Sequence, residues 1–400
     1  MKKESISRCE LHRQDSNDDL DFLIQVREKE TFDLYEPLVT KNTENFIGVS
    51  KIPIGIAGPL VVNSEHVEKG EEIYVPLAST EGTIIASVSR GMKILRLSGG
   101  VHTYTNRIGS IQRAPCFRFA TPIEARAFCE NLRDWEWLRA IAESSTSHGK
   151  LLDISCFPVG RYAHVRISIF PGDSYGANMV SKVAIHVIKA LVKKFPGIEK
   201  HYSEGGLSSE KSPSSIGMLL GRGRSVVATA NIPKEILSKM GRARPEDILE
   251  FYEIWETATE FRGGVPSTAG VINTLSAIYA ATGQDLACIP ESRTSKYNLN
   301  YDPFSGVLHW ELIMPSIVCA TVGGGTHLPT QSECLRLLGC LGDGKVDRFA
   351  EIIAATALAH EISFVSAVCA SGVEACEWLE AHAALSLKTG SSVPETTFPE

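Results

Sequence analysis

Glu81 is the residue whose surroundings most suggest chemistry. It lies between Thr80 and Gly82, where an apolar, strand-like run over residues 73–77 gives way to a helix-like run over residues 83–88. A carboxylate in an apolar matrix is desolvated, which raises its pKa and suits it to proton donation near neutral pH. Alternatively, Glu81 lies in the first turn of the helix and complements the helix dipole. The local sequence leaves both interpretations open.

Two more ionisable residues could act on a carbonyl group. Lys211 lies in a loop of small polar residues, 203–215, and a lysine that closes over a site can stabilise an oxyanion forming on a thioester or an aldehyde. Asp285 follows an apolar, helix-like run and could hydrogen-bond such a lysine. Both residues also have ordinary interpretations, because loop lysines are usually solvated and an aspartate can simply lie in the turn that ends a helix.

Two glycine-containing turns could bind a nucleotide. Residues 173–179, Asp-Ser-Tyr-Gly-Ala-Asn-Met, open directly onto an amphipathic helical run over 180–195, where backbone N–H groups and the helix dipole can receive a pyrophosphate. Residues 323–326, Gly-Gly-Gly-Thr, follow an apolar strand and would let a flat ligand approach the backbone. An ordinary helix with Asn178 as its N-cap and a plain turn are the respective alternatives.

Three generic motifs are incomplete. Residues 339–345 have the spacing of a Walker A loop, but Val346 replaces the Ser or Thr that would hold magnesium. His360-Glu361 begins an HExxH zinc motif, but Phe364 stands where the second histidine is needed. The sequence contains no GxGxxG motif. We therefore predict no metal site and no Rossmann-type dinucleotide fold.

The composition is that of a globular protein with small-molecule or protein partners. Of the 400 residues, 43% are hydrophobic and 22% charged, and the net charge is −7 with scattered Lys and Arg, which argues against nucleic-acid or membrane-surface binding. The apolar stretch 352–373 is interrupted by His360 and Glu361, so a buried helix is predicted rather than a membrane span. The N-terminus lacks the apolar core of a signal peptide, and ten cysteines without a CxxC pair predict reduced thiols. We therefore expect a cytoplasmic protein.

Hydrophobic periodicity predicts a mixed α+β fold. Residues 117–170 have the pattern of strand, helix and strand, and the alternation over 164–170 is typical of a half-exposed strand. Residues 241–283 and 346–385 are mostly helical in pattern. Together these patterns predict a small sheet-and-helix unit inserted into a larger helical one. Residues 21–39 are predicted to form a short helical lead-in.

Eight segments, taken in order, resemble the catalytic portion of the 3-hydroxy-3-methylglutaryl-CoA (HMG-CoA) reductases, in particular their NADPH-using class. The resemblance extends from about Asn45 to Ala384. Its markers are ENFIG, PIGIAGPL, STEG, DSYGANMVSK, GRGRSVV, ATGQD, MPSIVCATVGGGTHLPTQ and HEISFVSA. So many matches in one order are far more specific than any single motif.

The resemblance implies a fold and a reaction. The α+β fold would have a large, mostly helical substrate-binding domain and a smaller, inserted, ferredoxin-like α/β nucleotide-binding domain. The implied parts are an N-terminal helical lead-in (1–43), the large domain (44–113 and 213–385), the small NAD(P)-binding domain (114–203), a catalytic-lysine loop (204–212) and a flexible tail (386–400). The reaction would reduce an acyl-CoA thioester through an aldehyde to an alcohol, HMG-CoA to mevalonate in isoprenoid biosynthesis, using NADPH, with NADH possible. Family active sites form between subunits, which implies a homodimer or a dimer of dimers.

The resemblance also implies roles for individual residues. Glu81 matches the catalytic acid, Lys211 the lysine that stabilises the carbonyl oxygen, and Asp285 the aspartate that links them. Asn273 matches an asparagine that supports the lysine, and arginines that contact substrate and cofactor phosphates match Arg90 and Arg113. The implied cofactor-binding residues are Ser147, His148, Asp173, Ser174, Gly176, Asn178, Met179, Gly323, Gly324, Gly325 and Thr326.

The sequence departs from the family pattern at four places. Gly372 stands where the family has the histidine that protonates the departing CoA thiolate, and Gly270 stands at a second family histidine. The lysine loop contains Glu-Lys-Ser-Pro over 210–213 instead of Asp-Lys-Lys-Pro. His148 replaces an arginine that would grip the 2′-phosphate of NADPH. Loss of a general acid typically costs about a hundred- to ten-thousandfold in the step that it serves.

Three functions therefore remain open. The first is HMG-CoA reduction, and the second is reduction of a different acyl thioester, such as a carrier-protein-bound one, or of the aldehyde alone. The third is a non-catalytic acyl-CoA- or nucleotide-binding homologue, against which the retention of Glu81, Lys211 and Asp285 argues. The residues that could replace the lost histidine are His327, His360, Glu374 and His382. For His327 and His360, packed histidines with satisfied hydrogen bonds are the stronger expectation.

Overall fold

The computed structural model describes residues 37–39, 43–264 and 268–370. The chain divides into two compact units, residues 1–53 and 54–400. In the described part of the first unit, residues 37–39 are helical and the Thr43 N–H donates to the Val39 carbonyl at 2.8 Å. The rest of the predicted lead-in, and the predicted tail, lie outside the described residues.

The second unit is built on a mixed sheet, which confirms the predicted α+β class. Its strands within the described ranges are β1 (Ile54–Asn63), β2 (Glu72–Ala78), β3 (Val101–Arg113), β4 (Cys116–Arg118), β5 (Lys150–Val159), β6 (Tyr162–Phe170), β7 (Lys200–Tyr202), β8 (Gly223–Pro233), β9 (Lys296–Asp302) and β10 (Val307–Ile317). Hydrogen-bonded neighbours follow the order β7-β4-β6-β3-β8-β10-β9, with β5 beside β6, and β1 pairs with β2 and β3.

Nine α-helices of five or more residues lie within the same ranges. They are α1 (Ile84–Leu97), α2 (Pro122–Asn131), α3 (Arg139–Glu143), α4 (Ala177–Lys194), α5 (Ser215–Leu220), α6 (Pro245–Phe261), α7 (Ala269–Thr282), α8 (Pro329–Leu337) and α9 (Val346–Cys369). A π-helical turn covers Leu237–Gly241, and shorter helical turns are Glu136–Leu138, Lys234–Ile236, Leu286–Cys288, Ile289–Ser292 and Gly324–His327. The helix predicted from Pro122 into Glu143 is therefore interrupted.

Strands β4 to β7 and helices α2 to α4 occupy the stretch of chain for which the small sheet-and-helix unit is predicted. Strand β3 links this unit to the larger one, because it pairs with β6 near Arg113 and with β8 over most of its length. The boundary proposed between the two domains stays a prediction.

The expectation that β6 is half exposed is wrong. Arg166 and Ser168 are only 3% and 5% exposed, and β6 is an interior strand with β5 along one edge and β4 and β3 along the other. Arg166 donates to the Ser168 hydroxyl at 3.3 Å and to the Gly221 carbonyl at 3.2 Å. The alternation thus reflects buried polar side chains that find hydrogen-bond partners inside the protein rather than contact with water.

The expectation of exclusively reduced thiols is also wrong. Cys129 of α2 and Cys156 of β5 form a disulfide, with a Cα–Cα distance of 5.2 Å. Because the two residues are 27 positions apart, no short cysteine motif predicts the pair. The packing of α2 on β5 brings them together. Six other cysteines in the described ranges are free thiols.

Helix α9 runs through the core. It is long and apolar enough to cross a membrane, with a mean hydropathy of 1.7 over its most apolar window, but 83% of that window is buried inside the protein. The prediction of a buried helix around His360 and Glu361 is confirmed for residues up to 370. It carries charged and polar residues inward, where they meet partners from α1, α7 and the sheet.

Helix α1 approaches α9 at a glycine. A Cβ on Gly91 would overlap the backbone carbonyl of Ala359. The backbones of the two helices are therefore in direct contact at this glycine. We expect Gly91→Ala to push the helices apart and to lower the free energy of unfolding by at least about 1–3 kcal/mol, as overpacking does.

Urea denaturation of the native protein and the Gly91→Ala variant measures the change in the free energy of unfolding. Gly197→Ala is the matched control, because a Cβ there meets nothing within 4 Å and surface changes of this kind stay within about 0.5 kcal/mol. Equal unfolding midpoints for the two variants would show that the helices separate at no cost.

Candidate active site

Lys211 and Asp285 form an ion pair at the mouth of a cleft. The Lys211 Nζ lies 3.0 Å from Asp285 Oδ2, and the two side chains are 45% and 37% exposed. Asp285 precedes the short turn Leu286–Cys288, and its other oxygen accepts the Ala287 N–H at 3.0 Å. The aspartate is therefore held by its own backbone and presents one free oxygen to the lysine.

The ion pair keeps the lysine cationic. The hydrogen bond from Lys211 to Asp285 raises the pKa of the lysine, and it outweighs partial burial, which acts in the opposite direction. A permanently charged ammonium group suits stabilisation of a developing oxyanion, not proton abstraction.

The backbone around Lys211 is strained and anchored. Lys211 and Ser209 have left-handed backbone angles, φ 57° and 61°, which costs non-glycine residues roughly 1–3 kcal/mol each. Between them, Glu210 forms an ion pair with Arg113 and accepts the Tyr175 hydroxyl at 3.0 Å. Arg113, expected to contact a phosphate, is thus bound to the lysine loop.

Glu81 forms a separate pair with Asn273. The Asn273 Nδ2 donates to Glu81 Oε1 at 3.3 Å, whereas the resemblance implied that Asn273 supports the lysine. Glu81 is exposed, so the expectation of a desolvated carboxylate is wrong within one chain. The dipole interpretation is wrong too, because α1 begins at Ile84 with Thr83 as its N-cap and has no acidic residue in its first turn.

The two pairs do not meet within one chain. Asn273 and Asp285 lie towards opposite ends of α7 (Ala269–Thr282). Nine residues of helix between Asn273 and Thr282 correspond to roughly 13 Å of rise. The predicted contact of Glu81 with Lys211 and Asp285 is therefore absent from the described residues of a single subunit.

The two predicted nucleotide-binding turns face each other across the cleft. It has a volume of about 610 Å³, within the range of roughly 300–1,000 Å³ that small-molecule sites occupy. Gly283, at the end of α7, contacts Gly325 backbone to backbone and so places the glycine turn beside Asp285. The lining includes Ser174, Tyr175, Gly176, Asn178, Met179, Asp285, Cys288, Gly323, Gly324, Gly325 and Thr326.

One wall of the cleft is a helix N-terminus that its own side chains leave open. Helix α4 begins at Ala177 after Gly176, which has a φ of 81° and supplies no side-chain cap. Asn178, the alternative N-cap, lies inside the helix. The first N–H groups of a helix have no partner within the helix, so they are free to bind an anion in the cleft.

Asp173 serves another helix. Its Oδ1 accepts the N–H groups of Lys345 and Val346 at 3.0 and 3.1 Å and so neutralises the positive end of the α9 dipole. The structure places this carboxylate at the α9 N-terminus rather than among the residues that line the cleft.

Ser147 and His148 lie beside the cleft. The Ser147 hydroxyl is 2.7 Å from His148 Nδ1, and both residues are exposed. A Cβ on the following Gly149 would lie 2.6 Å from the sulfur of Met179. Because Met179 lines the cleft, this close approach puts the Ser147-His148 pair near its rim.

Arg90 is held against α9. Its Nε and Nη2 donate to the hydroxyl and the carbonyl of Ser363 at 2.9 and 2.8 Å, and burial lowers its pKa. Its predicted contact with substrate phosphates stays a prediction.

Comparison with known proteins assigns the chain to a family. A sequence profile described as hydroxymethylglutaryl-coenzyme A reductase matches residues 7–387. The 3-hydroxy-3-methylglutaryl-coenzyme A reductase of Pyrococcus abyssi is 38% identical over 344 residues, which cover 83% of each chain. That of Methanothermobacter thermautotrophicus is 37% identical over 343 residues and 82% of each chain.

The chain belongs to the HMG-CoA reductase family. A solved class II HMG-CoA reductase from Streptococcus pneumoniae, bound to NADPH in open conformations, superposes with a TM-score of 0.65 at 19% identity, covering 92% of this chain and 96% of that one. A second structure of the enzyme from this organism has a TM-score of 0.66 at 20% identity and covers 92% and 97%. At such identity these structures support the fold.

In this HMG-CoA reductase family member, a side chain at position 270 would displace the Glu361 carboxyl. The Gly270 N–H donates to Glu361 Oε2 at 2.6 Å, and a Cβ there would lie equally close to that oxygen. Glu361 also accepts the Tyr252 hydroxyl at 3.0 Å, and its burial raises its pKa to about 7. A buried carboxyl thus occupies the space beside Gly270, and the match of this position to a family histidine stays a prediction.

His360 is a packed histidine. Its Nδ1 lies 3.0 Å from the Gly270 carbonyl and 3.0 Å from the Thr274 hydroxyl, and burial lowers its pKa. These contacts favour the expectation that His360 is structural. His327 is exposed at the end of the turn Gly324–His327, and Gly372, Glu374 and His382 lie outside the described residues.

Tyr175 and Cys288 line the cleft, although neither was predicted from the sequence as a site residue. Tyr175 is the large side chain in an otherwise small, polar turn, a contrast that could have singled it out. Cys288 has no local signal, because only the turn after Asp285 carries it into the cleft.

The Lys211–Asp285 pair predicts a change in pH dependence. Since Asp285 raises the pKa of Lys211, we expect Asp285→Asn to lower that pKa, so that the lysine loses its proton at lower pH. The pH dependence of Lys211 modification by an amine reagent, followed by peptide mass spectrometry, measures the shift.

Glu256→Gln is the control variant. Glu256 forms an ion pair with Lys296. These two side chains are 49% and 47% exposed, similar to those of Asp285 and Lys211. This variant should leave the Lys211 titration unchanged. A Lys211 midpoint that is the same with and without the Asp285 carboxylate would refute the assigned cause.

Proposed function

We propose that this protein reduces HMG-CoA to mevalonate with NADPH. Membership of the family and the names of its archaeal relatives support this function. The observation that carries it is a cationic Lys211, paired with Asp285, at a cleft between two glycine turns. Such a site offers a cationic hydrogen-bond donor for an oxyanion beside a cleft large enough for a nucleotide.

The cleft fits a nicotinamide nucleotide. Its uncapped α4 N-terminus offers N–H groups to the pyrophosphate, and Gly323 to Gly325 allow a flat ring to lie close to the backbone. Ser147 and His148 at the rim would hold the 2′-phosphate, and NADH is the alternative cofactor because His148 replaces an arginine. Each of the two reductions would consume one NADPH, which supplies one hydride when bound.

Lys211 would act twice. In each reduction the carbonyl oxygen gains negative charge, first at the thioester and then at the aldehyde, and the ammonium group stabilises that charge. Asp285 keeps the lysine protonated and oriented. Between the two reductions the carbon–sulfur bond breaks and the CoA thiolate leaves.

Protonation is divided among other groups. We assign the proton delivered to the aldehyde-level oxygen to Glu81. The thiolate has no histidine at position 372 or 270, so thioester cleavage is the step most exposed to loss of a general acid. A reductase that acts only on the aldehyde, or on a different thioester such as a carrier-protein-bound one, is the second candidate for this reason.

We also propose a homodimer, or a dimer of dimers, with active sites shared between subunits. Within one chain Glu81 lies with Asn273 and is separated from Lys211 by most of helix α7. A second subunit that brings its Glu81 to the first subunit's Lys211 would complete the site. We further propose a cytoplasmic location, because six cysteines in the described ranges are free thiols and reducing compartments keep thiols free. The Cys129–Cys156 disulfide is an exception to this pattern.

A paired assay tests the reaction. The native protein, with NADPH, should oxidise the cofactor when given HMG-CoA and when given mevaldehyde, and Lys211→Ala should abolish both rates. Oxidation with mevaldehyde alone would support the aldehyde-only alternative. Silence with both substrates, together with measurable NADPH binding, would rule out mevalonate formation.

A mixing experiment tests the shared site. Lys211→Ala and Glu81→Gln should each be nearly inactive as homodimers. When the two variants are co-expressed with different tags, we expect about one quarter of the native activity, because half of random dimers are mixed and each mixed dimer contains one intact site. Absence of recovery in purified mixed dimers would place both residues of a site in one chain.

A further inference from the structure

Glu210 is the residue through which the lysine loop is held. Its side chain forms an ion pair with Arg113, accepts the Tyr175 hydroxyl at 3.0 Å and lies 3.7 Å from Arg222 Nη2. Only 17% of the side chain is exposed. The left-handed backbone at Ser209 and Lys211 needs such external support, because strained conformations persist only where the surroundings impose them.

Tyr175 joins this support to the wall of the cleft. It lies in the turn before α4 and lines the cleft next to Gly176. Its hydroxyl donates to Glu210, and Cys288 lines the same cleft. Burial raises the pKa of this hydroxyl, so it stays protonated and remains a donor.

Two neighbours of Tyr175 lie on the two segments that carry the reactive ion pair: Glu210 accepts its hydroxyl, and Cys288 lines the cleft with it. Glu210 immediately precedes Lys211. Cys288 ends the short turn that Asp285 begins. The Tyr175 hydroxyl therefore holds the residue next to Lys211 from within the turn that faces the nucleotide, and the segment that carries Asp285 lines the same cleft.

We propose that Tyr175 is a positioning residue that holds Lys211 in register with Asp285 and couples this register to the nucleotide-binding wall. The role rests on the proposed function, because it assumes that a nicotinamide nucleotide binds the cleft. A nucleotide that packs against the 173–179 turn restrains Tyr175, and through Glu210 it restrains the lysine that must meet the carbonyl oxygen.

Tyr175→Phe tests the hydroxyl while keeping the ring. Without nucleotide, loss of the bond to Glu210 should loosen the loop, and Lys211 should react several-fold faster with trinitrobenzenesulfonate and titrate at lower pH. In the assay with NADPH, kcat should fall about ten- to a hundredfold, the value of one hydrogen bond to a charged group, while KM for NADPH stays within about threefold.

Tyr252→Phe is the matched control. Its hydroxyl also donates to a glutamate, Glu361, at 3.0 Å, but it does not line the cleft. This variant should lose comparable stability and leave Lys211 labelling unchanged. If Tyr175→Phe labels and titrates at Lys211 like the native protein, the positioning role is wrong. An equal loss in both variants would assign the effect to stability alone and also overturn it.

The outcomes separate this role from the proposed function. If the native protein reduces neither HMG-CoA nor mevaldehyde, the proposed function fails, while the labelling difference without nucleotide still decides whether Tyr175 positions Lys211. If the native protein is active and Tyr175→Phe retains full kcat, the function stands and the coupling to the nucleotide wall fails.

Discussion

The site depends on how closely other elements approach the buried helix Val346–Cys369. Two neighbouring helices meet its backbone at Gly91 and Gly270, where any side chain would overlap it or its Glu361 carboxyl. Its N-terminus receives the carboxylate of Asp173, in the turn that leads into the cleft. Because interiors are close-packed and transmit displacement, this helix sets the positions of the cleft wall and of the helices that carry the reactive pairs.

A second constraint comes from buried charge beneath the lysine loop. Arg222 is only 1% exposed, and its Nε lies 3.3 Å from Glu291 while its Nη1 donates to the Gln112 carbonyl at 3.0 Å. Burying such charges contributes little net stability, but removing one partner is costly. The buried Arg222, which lies 3.7 Å from Glu210, therefore restricts the position of the Glu210 side chain. This restricts in turn the backbone of the neighbouring Lys211.

Much of the fold and part of the site could be predicted from the sequence. The ordered motifs sufficed to identify the family, and periodicity sufficed for the strand before Glu81 and for the buried helix around His360. Lys211 and Asp285 were predicted to pair, and the structure places them in contact. These successes rest on short-range patterns or on many matches in one order, neither of which requires knowledge of packing.

The tertiary structure alone decided which residues meet over long distances. It places Glu81 with Asn273 and Lys211 with Asp285, towards opposite ends of one helix. It also directs Asp173 to a helix N-terminus 173 residues further along the chain. It also fills the space at Gly270 with a carboxyl from 91 residues away. By itself, the sequence determined the family, the α+β class and the identity of the reactive groups. Their grouping depends on helix length and on close approach at glycines, which local propensity does not encode.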